Sequence, residues 1–213
     1  MSRYSQKKCV MIIAGEASGD VHGAKLVRAM LDRDPSLFFV GIGGPALRAA
    51  GVRVAVDAAE LSVVGVTEVF SKGLSLVKGL FSAGRLLKSP RPDLLVLIDF
   101  PDFNLHLAVK AKALGIPVLY YISPQIWAWR PGRIKKIQKR VDHMAVILPF
   151  EEAFYQKHNV PATFVGHPLL DEKEPQEYQN ATEGGGQETV IGLLPGSRDK
   201  EVARHLPVML SCA

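Results

Sequence analysis

Asp99 stands directly after Leu94-Leu95-Val96-Leu97-Ile98, and Asp102 and Asn104 follow within five residues. A run of apolar residues this short and dense predicts a strand buried on both faces, as in parallel sheets. In such sheets ligands bind beyond the carboxyl ends of the strands. A carboxylate there is costly to bury without a partner or a task. Partial desolvation would also raise its pKa towards a range useful for taking a proton from an attacking hydroxyl. Asp99 is therefore the first candidate for a catalytic residue. Asp102 follows Pro101 and reads as a helix cap, whereas Asn104 could hydrogen-bond a backbone or a sugar hydroxyl.

Two further groups belong at the same end of the expected sheet. Gly15-Glu16-Ala17-Ser18-Gly19-Asp20 follows the first apolar stretch, and its small residues let a ligand approach a helix start. Glu16 and Ser18 would point into the crevice; Ser18 or Asp20 could instead cap the helix, a role that suits Glu16 less well. Ser123-Pro124-Gln125-Ile126-Trp127-Ala128-Trp129-Arg130 follows another strand signal. Its tryptophans could line an apolar ligand site, anchor at a membrane interface or plug the top of the sheet. Gly41-Ile42-Gly43-Gly44-Pro45-Ala46 matches the dinucleotide fingerprint loosely, but it follows the second strand and Pro45 reads as a helix starter. No NAD or other cofactor is expected.

Positioning these residues requires strands at 9–14, 38–40, 52–56, 94–98, 118–122, 144–148 and 162–165. Helices are predicted between them at 18–31, 45–50, 74–87, 105–114, 132–140 and 150–157. The alternation predicts an α/β fold, a doubly wound parallel sheet with right-handed crossovers. Along 74–87, Leu74, Val77, Leu80, Phe81 and Leu87 are expected on one face, with Ser75, Lys78, Ser82 and Arg85 opposite. That helix either packs on the sheet or lies in a membrane interface. A first domain is expected over 1–170 and a Glu/Gln/Gly-rich linker over 171–188. Residues 189–213 read as a strand, a glycine turn and a helix from about 200 to 211, the opening unit of a second α/β domain.

At 213 residues, 47% hydrophobic and 22% charged, the chain can bury a full core. No apolar run approaches the roughly 18 residues of a membrane span, and the stretch after Lys7 and Lys8 is too short for a secretory signal. Cys9 and Cys212 form no CxxC pair, which fits a reduced cytosolic protein, and the six histidines lack metal-ligand spacing. The net charge of +5 is concentrated locally, since Arg130, Arg133, Lys135, Lys136, Lys139 and Arg140 fall between positions 130 and 140. Such a cluster is a solvated helix face, or it meets nucleic acid, an anionic membrane or a phosphorylated substrate.

Taken together, GEASGD at 15–20, VGVTEV at 64–69, IDFPDFN at 98–104, SPQIWAWR at 123–130, LPFE at 148–151, VGHP at 165–168 and LPGSR at 194–198 resemble the lipid-A-disaccharide synthase family. These are bacterial glycosyltransferases of the two-domain GT-B type. The resemblance implies transfer of a diacylated glucosamine from UDP to the 6-hydroxyl of diacylglucosamine 1-phosphate, without a metal. By position it implies Asp99 as general base, with Glu16 and Ser18 bordering the acceptor site; Asn104, Gln125 and Arg130 are expected at the acceptor as well. Gly196, Ser197 and Arg198 would hold the donor's phosphates, and Thr67, Val69, Phe70, Leu74, Leu76 and Val77 would meet acyl chains. We add Arg130 and Arg133 as attractors of the acceptor phosphate or of anionic lipid.

It further implies a cytoplasmic protein peripheral on the inner face of the inner membrane, with no nucleic-acid partner and a homodimer left open. The family places most of its UDP site in a C-terminal domain of comparable size. The chain is accordingly expected to carry the acceptor side and, alone, to turn over negligibly. The competing readings are a lipid-binding chain without catalysis and a sugar-nucleotide epimerase of similar architecture.

Overall fold

The computed structural model describes residues 7–59, 69–129, 131–171, 191–196 and 199–212, with backbone alone at 69–76 and 199. Two compact units are present, Met1–Asp171 and Glu172–Ala213.

In the first unit strands and helices alternate: β1 (Cys9–Ala14), α1 (Ala17–Arg33), β2 (Phe38–Gly43), α2 (Pro45–Ala49), β3 (Arg53–Asp57), α3 (Val69–Lys88) and β4 (Leu94–Ile98). There follow α4 (Pro101–Ala113), β5 (Val118–Tyr121), α5 (Ile126–Trp129), α6 (Ile134–Arg140), β6 (His143–Val146), α7 (Pro149–Lys157) and β7 (Ala162–Phe164). Single 3₁₀ turns lie at Pro131–Arg133 and Pro168–Asp171. All seven strands are parallel, in the order β3-β2-β1-β4-β5-β6-β7. The doubly wound α/β sheet is thus present.

The apolar runs become strands because both of their faces are covered. Along β1, Met11 and Ile13 join one core, and Val10, Ile12 and Ala14 the other, the two-residue alternation of a pleated strand. The order of strands reverses between β1 and β4, where Ala14 pairs with Ile98. Gly15 and Asp99 are the next residues on each, so they stand side by side at the switch point where such sheets bind ligands.

The glycines of the 41–46 segment serve packing. A Cβ on Gly41 would overlap the Ile12 carbonyl, and one on Gly43 a Leu47 methyl. One on Gly44 would stand 2.7 Å from Asp20 Oδ2. Close approach of backbone and side chains explains this spacing without a nucleotide.

α3 corrects its expected facing. Ala83 and Leu87 are fully buried, Leu80 partly so, whereas Val77 is 62% and Phe81 59% exposed. Positions 80, 83 and 87 follow the i, i+3, i+7 stripe that meets the sheet; 77 and 81 lie on the opposite side. In the second unit α8 (Asp199–Cys212) forms as expected. Residues 191–194, expected as a strand, adopt no regular structure. A strand persists only against a neighbour, and no other strand is present among the described residues of this unit. Most of the expected linker lies outside the described residues.

Candidate active site

The end of β4 is built from unusual backbone. Asp99 and Phe100 have φ of 44° and 45°, and Ile122, just past the end of β5, has φ of 61°. Non-glycine residues seldom adopt this left-handed region, and for a β-branched isoleucine it is an outlier. Three such residues at adjoining strand ends mark a place where surrounding contacts overrule local preference.

Those contacts are visible. The Asp99 carbonyl accepts hydrogen bonds from Tyr120 Oη at 2.5 Å and Asn104 Nδ2 at 2.6 Å. Asn104 Nδ2 also donates to the Ile98 carbonyl at 3.1 Å. Phe100 stacks on Phe103, with ring centroids 5.4 Å apart, and its ring covers Gly15, where a Cβ would stand 2.6 Å from Phe100 Cγ. Gly15 is thus required by the close approach of the Phe100 ring.

Asp99 is partly buried and borders a cavity of about 400 Å³ together with Ser123, Gln125, Trp129, Arg133 and Glu151. Trp129 is 81% exposed, which leaves its ring available as a wall for an apolar or sugar face. Arg133, whose side chain is only 15% exposed, forms an ion pair with Asp102. Asp102 is therefore not the cap of α4. The helix begins at Pro101, with Phe100 in the N-cap position, four residues earlier than expected.

A polar network closes the cavity. Glu151 is 1% exposed; its carboxylate accepts Trp127 Nε1–H at 3.2 Å and the Leu148 N–H at 3.1 Å. Ser123 and Tyr155 share a hydrogen bond of 2.6 Å. Burial pushes the Tyr155 hydroxyl up to about 12, against the Ser123 hydrogen bond and aided by the Glu151 charge. Burial also raises Tyr120 well above the usual phenol range, and the Asp99 charge adds to it. Both remain proton donors at neutral pH.

The expected residues divide between two cavities. Gln125 joins Asp99, whereas Glu16 borders a second cavity of about 380 Å³ with Asp20 and Asp57. Gly15, against which the Phe100 ring packs, borders the second cavity with Glu16. Glu16, not Ser18, occupies the N-cap position of α1 and makes no side-chain cap bond. Ser18 is exposed in the first turn and borders neither cavity. Asp20, with Ser18 an alternative cap of its own helix, instead accepts from the Gly44, Ala46 and Leu47 N–H groups at the start of α2, at 2.6, 2.9 and 3.2 Å.

Asn104 is fully buried, so it serves the backbone and offers no surface to an acceptor. Arg130, Thr67, Ser197 and Arg198 lie outside the described residues, as do the side chains of Val69, Phe70, Leu74 and Leu76. Glu151 and Tyr120 escaped sequence reasoning. Glu151 carries a signal of the Asp99 kind, an acid shortly after a strand end; Tyr120 reads simply as core.

A family model described as lipid-A-disaccharide synthetase matches residues 10–213. The chain belongs to that family. It is 52% identical over 210 residues to the lipid-A-disaccharide synthase of Geobacter metallireducens, covering 97% of this chain and 55% of the relative. It is 47% identical over 207 residues to that of Coxiella burnetii, covering 95% and 55%. The chain thus spans about half the length of these relatives.

Among solved structures, its fold is shared with MurG of Acinetobacter baumannii (TM-score 0.51, 16% identity, 80% of this chain and 47% of that one). It is also shared with the UDP-GlcNAc 2-epimerase of Neisseria meningitidis bound to UDP-GlcNAc (TM-score 0.57, 10% identity, 76% and 47%). The sheet is that of a GT-B half. Fold alone does not distinguish these families; the match to the lipid-A-disaccharide synthetase model over residues 10–213 does.

Proposed function

We propose that this chain supplies the acceptor side of a glycosyltransferase that joins UDP-2,3-diacylglucosamine to 2,3-diacylglucosamine 1-phosphate. The products are the lipid A disaccharide 1-phosphate and UDP. The observation that carries the reading is Asp99 at the switch point, bordering a cavity with a tryptophan wall and a sheltered arginine. The acceptor's 6-hydroxyl gives its proton to the Asp99 carboxylate as its oxygen bonds to the donor's anomeric carbon. The bond from that carbon to the diphosphate breaks, and UDP leaves with the electron pair. Gln125 and Trp129 orient the sugar, and Arg133, with Arg130, attracts its phosphate. Glu16, which borders the second cavity, meets another part of the acceptor. Gly196, which has φ of 115°, is assigned with Ser197 and Arg198 to the donor's phosphates.

The test is turnover by a chimaera in which this chain replaces the aligned half of the Geobacter metallireducens relative. Conversion of the UDP-linked lipid and the acceptor to disaccharide is expected; a folded chimaera that binds both and forms none contradicts the reading.

The same proposal places the protein on an anionic membrane surface. Among the described residues no helix is long and apolar enough to cross a membrane. Support comes from α3, where exposed Val77 and Phe81 lie on one side and Arg85 sits 4.5 Å over the Phe81 ring. An exposed apolar side chain with a cation beside it favours an interfacial position. Phe81→Glu should cut co-flotation with phosphatidylglycerol vesicles at least severalfold, and undiminished flotation would remove this face from the account.

A further inference from the structure

We infer that Tyr120 and Asn104 form a positioning pair that fixes where the Asp99 carboxylate stands, acting through the Asp99 backbone carbonyl. The inference rests on the reading of Asp99 as the base. A carbonyl at the end of a parallel strand normally continues the ladder to its neighbour. Here the left-handed conformation of Asp99 and Phe100 turns that carbonyl inward. It meets two side-chain donors from different elements, Tyr120 of β5 at 2.5 Å and Asn104 of α4 at 2.6 Å.

Both donors are fully buried. A hydroxyl and an amide are unfavourable in the core unless they are used, and a phenylalanine or leucine would fill the same space without them. Their shared partner is a single oxygen, one residue before the α4 N-cap. Without them that oxygen would lose two buried donors, and the left-handed pair would relax towards ordinary dihedrals. The backbone of Asp99, which borders the cavity, would then rotate and carry the carboxylate with it. Tyr120 and Asn104 touch no reacting atom in this account. They hold the base in place, and misplacement by about 1 Å is enough to lower a rate about 100-fold.

The test is a set of double-mutant cycles in the chimaera described above. Tyr120→Phe should lower kcat by about 10- to 100-fold with the acceptor KM within about twofold of the parent. Introduced into Asp99→Asn, it should produce no further loss, because the group it positions is gone. Asn104→Leu should behave in the same way and guards against a folding defect of the first variant.

Equal proportional losses in the presence and absence of Asp99 would overturn the positioning role and leave a general structural one. An unchanged kcat in both single variants would overturn it as well. If instead Asp99→Asn alone retains the parent rate, the base assignment fails, a result distinct from either of these.

Discussion

Asp99→Asn in the chimaera should lower kcat by about 10² to 10⁴, the usual contribution of a positioned general base. Asparagine preserves the size of the side chain and its capacity to accept a hydrogen bond, so the acceptor should still bind with a similar KM. Only the ability to hold a transferred proton is lost. The backbone at this position should not change, since the Tyr120 and Asn104 bonds are made to the carbonyl and not to the side chain. Loss of rate at constant affinity is the signature of an interaction made in the transition state. A variant with near-parental kcat would show that the 6-hydroxyl gives its proton elsewhere.

Asp20→Ala should destabilise the chain by about 3–5 kcal/mol, near the upper end for a single substitution. The carboxylate is 4% exposed and accepts the Gly44, Ala46 and Leu47 N–H groups. α2 has only five residues, and its N-cap position is a glycine that offers no side-chain bond. Its first turn is therefore capped by a residue 24 to 27 positions away. Truncation removes the acceptor of two buried donors and one partly buried donor, each buried loss disfavoured by about 1–3 kcal/mol. For a unit of this size a fall in Tm of about 10 °C follows. Asp20→Asn, which keeps one acceptor oxygen, should lie between. A thermal melt of the alanine variant within about 2 °C of the parent would contradict the cap.

Some of this was legible in the residues themselves. The strands at Cys9–Ala14 and Leu94–Ile98 declare themselves by short, dense apolar runs, and burial on both faces is what such runs require. Asp99 was legible because an acid immediately after such a run has few other places to stand. Contacts between distant segments carry no local mark. Nothing about Asp20 in the first turn reveals that its partners belong to α2, and nothing about Tyr120 within a strand announces a hydrogen bond to the next strand's end. The facing of α3 was misjudged because Leu80, Phe81 and Val77 are equally apolar; only the sheet beneath decides which of them it covers. The Asp102–Arg133 pair likewise needed the fold to bring α4 and the Pro131–Arg133 turn together.

The most direct measurement is chemical rescue of Asp99→Ala in the chimaera. Removal of the carboxylate leaves a void beside the acceptor hydroxyl that a small external base can enter. Added formate should restore turnover in proportion to its concentration, whereas chloride at equal ionic strength should not. An alanine variant that turns over at the parental rate with no added base would contradict the assignment of Asp99 as the group that takes the proton.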